Sequence, residues 1–440
     1  MSTSGKPLLA IEHHPISALT PYVNNPRTHS KEQIRLIAES IKAFGWTNPV
    51  LIDDEGGVIA GHGRIEAAKL LGLAEVPTIR LSAMSPAQKR AYVIADNRLA
   101  ERAGWDRDLL KIELEGLLEM DLDFRVETIG FETAEIDLFL GEKTTDADDD
   151  VPPVEDAPPT SIAGDLWLLG EHRLYCGDAL DPESYEKVLG NEKARAVFTD
   201  PPYNVRIDGH VSGLGRVRHD EFVMASGEMN EDEFARFLKR TFDNLAAFTL
   251  DGAIAFVCMD WRHAHEMLVA GRAAFAELKN ICIWNKTNGG MGSLYRSKHE
   301  LVFVFKNGAA PHINNVELGR FGRYRTNVWD YAGANSFGTS RLEDLADHPT
   351  VKPVALVADA LQDVTQRGDL VLDSFCGSGS TIIAAERSSR RAAAIELDPK
   401  FVDVAIRRFE KAAGVPAVNS ESGKTFEQTR IDRAFERAMQ

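Results

Sequence analysis

The 440-residue sequence holds only four cysteines, Cys176, Cys258, Cys282 and Cys376, spread too widely to form a C-x-x-C pair. That scarcity excludes a zinc ribbon and a disulfide framework, and it fits a reducing cytoplasm. No apolar run reaches the roughly 18 residues that a bilayer crossing requires, so no membrane role is expected. The amino terminus, MSTSGKPLLAIEHHP, lacks a long apolar core with a small-residue cleavage site, so no secretory signal is expected either. Positive charge is also in short supply: 50 Lys and Arg face 67 Asp and Glu, a formal net charge of -17. The chain is therefore not basic throughout, but basic clusters occur at Arg206/Arg216/Arg218 and Arg320/Arg323/Arg325. A local strip of this kind can hold phosphates whatever the global charge. With 44% hydrophobic and 27% charged residues, what remains is an ordinary globular chain, long enough for two or three domains.

Three segments follow from the patterning. Residues 7–142 alternate short apolar runs at 49–52, 58–60 and 76–79 with helical patterns at 31–44, 86–102 and 108–120. Ile34, Ile37, Ala38 and Ile41 form one face of the first of these helices. Residues 143–160, KTTDADDDVPPVEDAPPT, carry an acidic run and four prolines but almost no large apolar side chain. Such a stretch buries too little surface to offset its ordering entropy, so 143–163 reads as a solvated linker. From 164 to 414, strands at 194–199, 252–259, 281–284, 301–305, 370–372 and 392–396 alternate with helices at 230–249, 261–275, 354–365, 380–387 and 400–412. This alternation predicts the α/β class, with a doubly wound, mostly parallel sheet and functional residues at strand carboxyl ends. The tail, 415–440, is polar, with a short helix near 425–439.

Two turns carry chemistry. In Val371-Leu-Asp-Ser-Phe-Cys-Gly-Ser-Gly-Ser-Thr381 a buried strand ends at Asp373, Gly377 and Gly379 turn the chain, and a helix starts near Ser380. Glycines let backbone approach a ligand, and the helix start offers unpaired N–H groups. Glu396 closes the next strand, where an acid can accept hydrogen bonds from ribose hydroxyls. No Lys-Ser/Thr follows the glycines, which speaks against a P-loop. The second turn is Val197-Phe-Thr-Asp-Pro-Pro-Tyr203. Its two prolines, Pro201 and Pro202, stiffen the chain and remove backbone donors. Asp200 adds a carboxylate acceptor and Tyr203 an aromatic face. Acceptor, carbonyl and stacking face together suit the amine and flat ring of an extruded nucleobase. Taken alone, either turn could simply reverse the chain.

Taken together, Asp200-Pro-Pro-Tyr203 and Phe375-Cys-Gly-Ser-Gly379 resemble the two signature motifs of the amino-directed DNA methyltransferases, which make N6-methyladenine or N4-methylcytosine. Their order resembles the family's circularly permuted beta class. His172-Arg-Leu-Tyr-Cys-Gly-Asp178, Ile281-Cys-Ile-Trp-Asn-Lys286, His299-Glu-Leu-Val-Phe-Val-Phe305 and His348-Pro-Thr-Val-Lys-Pro353 resemble further family segments. The resemblance spans roughly 164–412 and implies a Rossmann-like methyltransferase fold, S-adenosylmethionine as donor and double-stranded DNA as substrate. It also implies roles: Asp373, Phe375, Gly377 and Gly379 shape the methionine side of the donor pocket, Glu396 holds ribose and Asp178 the adenine amine. Lys352 supports the donor carboxylate. Asp200 and the Pro201 carbonyl accept from the target amine, and Tyr203 stacks on the base. Asp at the motif's first position leans toward adenine N6, with cytosine N4 the alternative. Residues 289–347 are the expected recognition region, and Arg206, Arg216, Arg218, Arg320, Arg323 and Arg325 are the candidate DNA contacts. No proline-cysteine pair offers the nucleophile of C5-cytosine methylation. Family members are often dimers, so a homodimer is a further expectation.

Residues 7–142 resemble the small α+β ParB amino-terminal, or ParB-like nuclease, fold. The resemblance rests on Asn25-Pro-Arg27, Gly45-Trp-Thr-Asn-Pro49, Ala60-Gly-His-Gly-Arg-Ile-Glu-Ala-Ala68 and Ala95-Asp-Asn-Arg98. It implies a DNA- or nucleotide-binding accessory, with the turn at Gly61–Arg64 as the phosphate site. His62-Gly63 stands where the family has Glu-Arg. A different reading of the whole chain is a ParB-like DNA-binding or nuclease protein with a degenerate methyltransferase half.

Overall fold

The computed structural model describes residues 9–141, 144–204, 227–286, 294–319, 322–332 and 351–439. They fall into two compact units, Met1–Leu140 and Gly141–Gln440.

The first unit is α+β. Strands β1 (Ile11–Pro15), β2 (Val50–Ile52), β3 (Val58–Ala60) and β4 (Glu75–Arg80) form a sheet in the order β1-β4-β2-β3. Val50, Ile52, Val58, Ile65 and Val76 close its core. The helix Lys31–Phe44 has the predicted bounds because Ser30 accepts the Gln33 N–H at its start and Gly45 ends it. A separate cluster of Leu110, Leu114, Val126, Ile136 and Leu140 holds the helices Arg107–Leu118 and Thr133–Leu140 together.

The second unit is built on ten strands: β5 (Leu166–Leu169), β6 (His172–Cys176), β7 (Ala194–Thr199), β8 (Thr249–Met259), β9 (Glu277–Asn285), β10 (His299–Lys306), β11 (Val328–Asp330), β12 (Leu370–Asp373), β13 (Arg391–Glu396) and β14 (Val418–Asn419). Their order is β11-β9-β10-β8-β7-β12-β13-β6-β5-β14. The central strands β8, β7, β12, β13 and β6 are parallel, as the alternation predicts. Antiparallel pairings add β10 and β9 on one side and β5 and β14 on the other, so the sheet is mixed. The β5–β6 link is only Gly170-Glu171, a connection too short for a parallel crossover. Side chains alternate across the sheet: Val371, Ala392 and Ala394 enter one core and Leu372, Ala393 and Ile395 the other. Helices Val354–Val364, Ser380–Arg387 and Pro399–Ala413 cover the first face, and Pro182–Leu189, Glu231–Ala247 and Ala264–Ala274 the second. Both faces are therefore covered, as a doubly wound sheet requires.

The acidic segment is not the solvated tether that its composition predicts. Asp148 is 3% exposed, and its carboxylate takes the Arg387 guanidinium at 2.6 Å. Further along, the N–H groups of Thr160 and Ser161 donate to Asp403 at 2.5 and 2.9 Å, and Arg407 pairs with Glu155 at 2.6 Å. The segment is thus a strap bound to its own unit. Composition shows that it buries little apolar surface, but not that arginines and an aspartate some 240 residues later receive its polar groups.

Candidate active site

The chain order reverses between β7 and β12. From β7 the chain proceeds to β8 on one side, and from β12 to β13 on the other. A reversal of this kind opens a crevice at the strand carboxyl ends, where α/β sheets bind ligands. Both sequence turns lie there. β7 ends at Thr199 and runs into Asp200-Pro-Pro-Tyr203; β12 ends at Asp373 and runs into the glycine turn. The strands pair directly, Ala196 with Val371 and Val197 with Leu372. At their tips the Thr199 hydroxyl donates to Asp373 at 2.8 Å.

The residues expected to hold the donor form a fan of carboxylates and N–H groups. Glu396, at the end of β13, accepts the Gly377 N–H at 2.7 Å and the Asp398 N–H at 2.9 Å. Asp178 follows β6, next to β13, and accepts the Leu180 N–H at 2.8 Å. Gly377 lies at φ 51°, and a Cβ there would point into open space. Gly379 lies at φ 87°, and a Cβ there would meet that of Ala405 at 3.0 Å, so glycine is needed for helix packing as well as for the turn. The Phe375 N–H donates to Asp373 at 3.1 Å, and its ring lies 6.0 Å from that of Phe237. Burial pushes the Glu396 carboxyl up to about 7, against the pull of the Asp398 and Gly377 N–H groups. Burial likewise raises Asp373 to about 6, despite hydrogen bonds from Thr381, Phe375 and Thr199. Three acids on neighbouring strand ends, with spare lone pairs and a glycine that leaves space beside them, suit a cationic ligand carrying hydroxyls and an amine.

The residues expected to meet the base form an ionic cluster. The Tyr203 hydroxyl donates to Asp200 Oδ1 at 2.6 Å, and Lys352 Nζ donates to Asp200 Oδ2 at 2.5 Å. Lys352 also pairs with Glu300 at 3.1 Å, and Lys286 pairs with the other Glu300 oxygen. The Lys352 ammonium lies 5.6 Å from the Tyr203 ring centre and 5.9 Å from that of Trp284. Burial raises the Asp200 carboxyl; Lys352 pulls it back and Glu300 raises it further. Burial works the same way on Glu300, but Lys352 and Lys286 outweigh it and hold that carboxyl at about 2. Lys352 itself is raised, since Asp200 and Glu300 overcome the effect of burial. The lysine expected beside the donor carboxylate therefore clamps the two acids of the base side.

Glu300, Lys286 and Trp284 are site residues that the motif reading left as parts of core strands. The sequence does hold a signal: Glu300 directly precedes the apolar run 301–305 of β10, at the edge of a core where carboxylates are rare unless paired. Two of the candidate arginines lie among the described residues. Arg323 donates to Asp363 at 2.8 Å, and Arg325 to Asp363 and Asp359 at 3.0 Å each. Both guanidiniums are thus engaged with helix Val354–Val364. Arg206, Arg216, Arg218 and Arg320 lie outside the described residues, as do 289–293, 320–321 and 333–347 of the expected recognition region. In the first unit, His62 Nε2 accepts the Tyr22 N–H at 3.2 Å and Arg64 donates to the Pro49 carbonyl at 3.3 Å, so both side chains tie the unit together.

Three family models match the chain: one described as DNA methylase over residues 194–407, one as ParB N-terminal domain over 6–97 and one as ParB-methyltransferase HTH domain over 108–162. The third runs across the strap. The ParB-like nuclease domain-containing protein YnaK of Escherichia coli (strain K12) is 54% identical over 82 residues, covering 19% of this chain and 94% of YnaK. Type II methyltransferase M.HinfI of Haemophilus influenzae is 26% identical over 250 residues, covering 51% of this chain and 65% of that protein. Among solved structures, the M1.HpyAVI-SAM complex is 19% identical with a TM-score of 0.40, covering 53% of this chain and 97% of that one. The chain carries a DNA methylase domain of the N6/N4 family over residues 194–407 and a ParB N-terminal domain ahead of it.

Proposed function

We propose that this DNA methyltransferase acts on the N6 amine of adenine in double-stranded DNA, at a defined sequence, with S-adenosylmethionine as methyl donor. One juxtaposition supports the reading: Asp200 and Asp373 end neighbouring strands at the reversal point, joined through the Thr199–Asp373 hydrogen bond. When bound, the donor supplies an electrophilic methyl group on a sulfonium. Glu396 accepts from its ribose hydroxyls, Asp178 from its adenine amine, and Asp373 lends negative charge beside the cation. Asp200 and the Pro201 carbonyl accept the two N–H bonds of the target amine, and Tyr203 stacks on the base. Held in that way, the amine's lone pair turns out of the ring plane toward the methyl, and positioning supplies most of the rate. Asp at the first position of the turn favours adenine; cytosine N4 is the second reading. Mass spectrometry of nucleosides from DNA of cells expressing the protein is expected to show N6-methyladenine. N4-methylcytosine would replace the adenine assignment, and unmodified DNA would overturn the methyltransferase reading. In the ParB-like unit we place a nucleotide or DNA phosphate at the start of helix His62–Leu70, where Gly61 has φ 98° and no side chain caps the helix.

Donor affinity should depend on pH through Glu396. Hydroxyl donors favour the ionised carboxylate, and burial has raised this one to about 7. Affinity is therefore full above that value and falls as the carboxylate takes a proton, approaching about tenfold per pH unit well below it. Calorimetric titration with S-adenosylmethionine between pH 8.5 and about 5.5 reads this directly. Glu396→Gln should bind weakly with a flatter profile; a wild-type profile that is already flat would remove Glu396 from the donor site.

A further inference from the structure

The strap meets both halves of the active site without reaching the crevice. Its single turn, Asp146–Asp149, is closed by a capping box between Thr145 and Asp148. The Asp148 carbonyl accepts from Arg408 at 2.9 and 3.2 Å. Arg408 is 1% exposed. Its remaining terminal nitrogen donates at 3.1 Å to the Ser378 carbonyl, the Ser378 hydroxyl and the Ser380 hydroxyl, all in the glycine turn. The Ser380 hydroxyl in turn donates to the Lys352 carbonyl at 2.9 Å. The next strap residue, Asp149, accepts the Val354 N–H at 2.8 Å and so caps the helix that starts two residues after Lys352. Two adjacent aspartates thus hold the donor turn through Arg408 and the Lys352 segment through a helix cap. A guanidinium buried to this degree is expensive to keep in the interior unless all its donors are used.

From this wiring we infer that Asp148, Asp149 and Arg408 are positioning residues for methyl transfer: the strap sets the spacing between the glycine turn and the Lys352–Asp200 pair. The inference rests on the methyltransferase reading, and it predicts a division of kinetic effects. Asp149→Ala removes the cap and frees the Lys352 segment, so kcat should fall about 10- to 100-fold, the scale expected for a slightly displaced catalytic group. The donor KM should change little. Asp149→Asn keeps the acceptor oxygen and should restore most of the rate. Arg408→Lys cannot span the carbonyl and the two serines together, so it should raise the donor KM about tenfold or more with a smaller effect on kcat.

The test uses the full chain, with thermal unfolding to establish the folded fraction of each variant. Hydrogen exchange supplies a readout independent of catalysis. Asp149→Ala should speed exchange in peptides covering 351–356, and Arg408→Lys in those covering 376–381. Faster exchange confined to 144–150, with kcat and KM of the folded fraction unchanged, would show the strap to be a structural tie only and overturn the proposal. Wild-type protein without methyl transfer would overturn the methyltransferase reading instead, and the exchange data would still decide whether the strap holds the two turns.

Discussion

Asp200→Ala is expected to lower methyl transfer to duplex DNA by about 10²- to 10³-fold, the scale on which loss of one preorganised polar group acts. Both Asp200 oxygens already have partners, the Tyr203 hydroxyl at 2.6 Å and Lys352 at 2.5 Å. The carboxylate is therefore held in one orientation before substrate arrives. Alanine removes the proposed acceptor for the target amine and also leaves the buried Lys352 with Glu300 as its acidic partner. S-adenosylmethionine binding, for which Asp178, Asp373 and Glu396 are the proposed contacts, should persist. Asp200→Asn keeps one acceptor oxygen but not the charge, and should fall between wild type and alanine. Single-turnover transfer from labelled donor, with calorimetry for donor affinity, separates these effects. An alanine variant with the wild-type rate would show that the amine is held elsewhere.

Lys352→Met is expected to affect stability and pH dependence together. The lysine side chain is 5% exposed and joins Asp200 to Glu300. Without it, two half-buried carboxylates face each other, and Lys286 reaches Glu300. Removing one partner from a buried pair costs about 3–5 kcal/mol when the remaining charge stays uncompensated. A proton can take the cation's place, because close carboxylates do not ionise together readily. Lys352 lowers the Asp200 carboxyl, whereas burial and Glu300 raise it, so the substitution moves that carboxyl further up. If transfer requires ionised Asp200, the acid limb of the rate profile must move to higher pH, with activity recovering as pH rises. Chemical denaturation and pH-dependent single-turnover rates measure the two consequences. A stable variant with an unshifted acid limb would mean that Lys352 serves the donor, as the motif resemblance implied.

Much of this arrangement was legible in the sequence because it depends on local rules. β7 and helix Ser380–Arg387 have the expected bounds, since buried apolar runs and a glycine start mark them without help from distant residues. The short strands β11 and β14, of three and two residues, carry no such periodic signal. The ionic cluster was harder to read because Asp200, Lys286, Glu300 and Lys352 lie on four different segments and only pairing in the sheet unites them. The partners of Arg323 and Arg325 are hidden in the sequence for a related reason. Their acids, Asp359 and Asp363, sit one helical turn apart on a helix whose apolar residues otherwise attract attention. The strap was misread because composition reports what a segment cannot bury, not which polar partners await it elsewhere.

The anchoring of Arg323 and Arg325 bears on any attempt to retarget this protein. The helix that receives them starts two residues beyond Lys352, so this part of the expected recognition region and the clamp on Asp200 share one support. A transplanted specificity segment without these arginines would strand Asp359 and Asp363, two acids that rely on them for compensation. Exchange of recognition segments between relatives should therefore succeed only when the helix, or its matching pair of acids, travels with the graft.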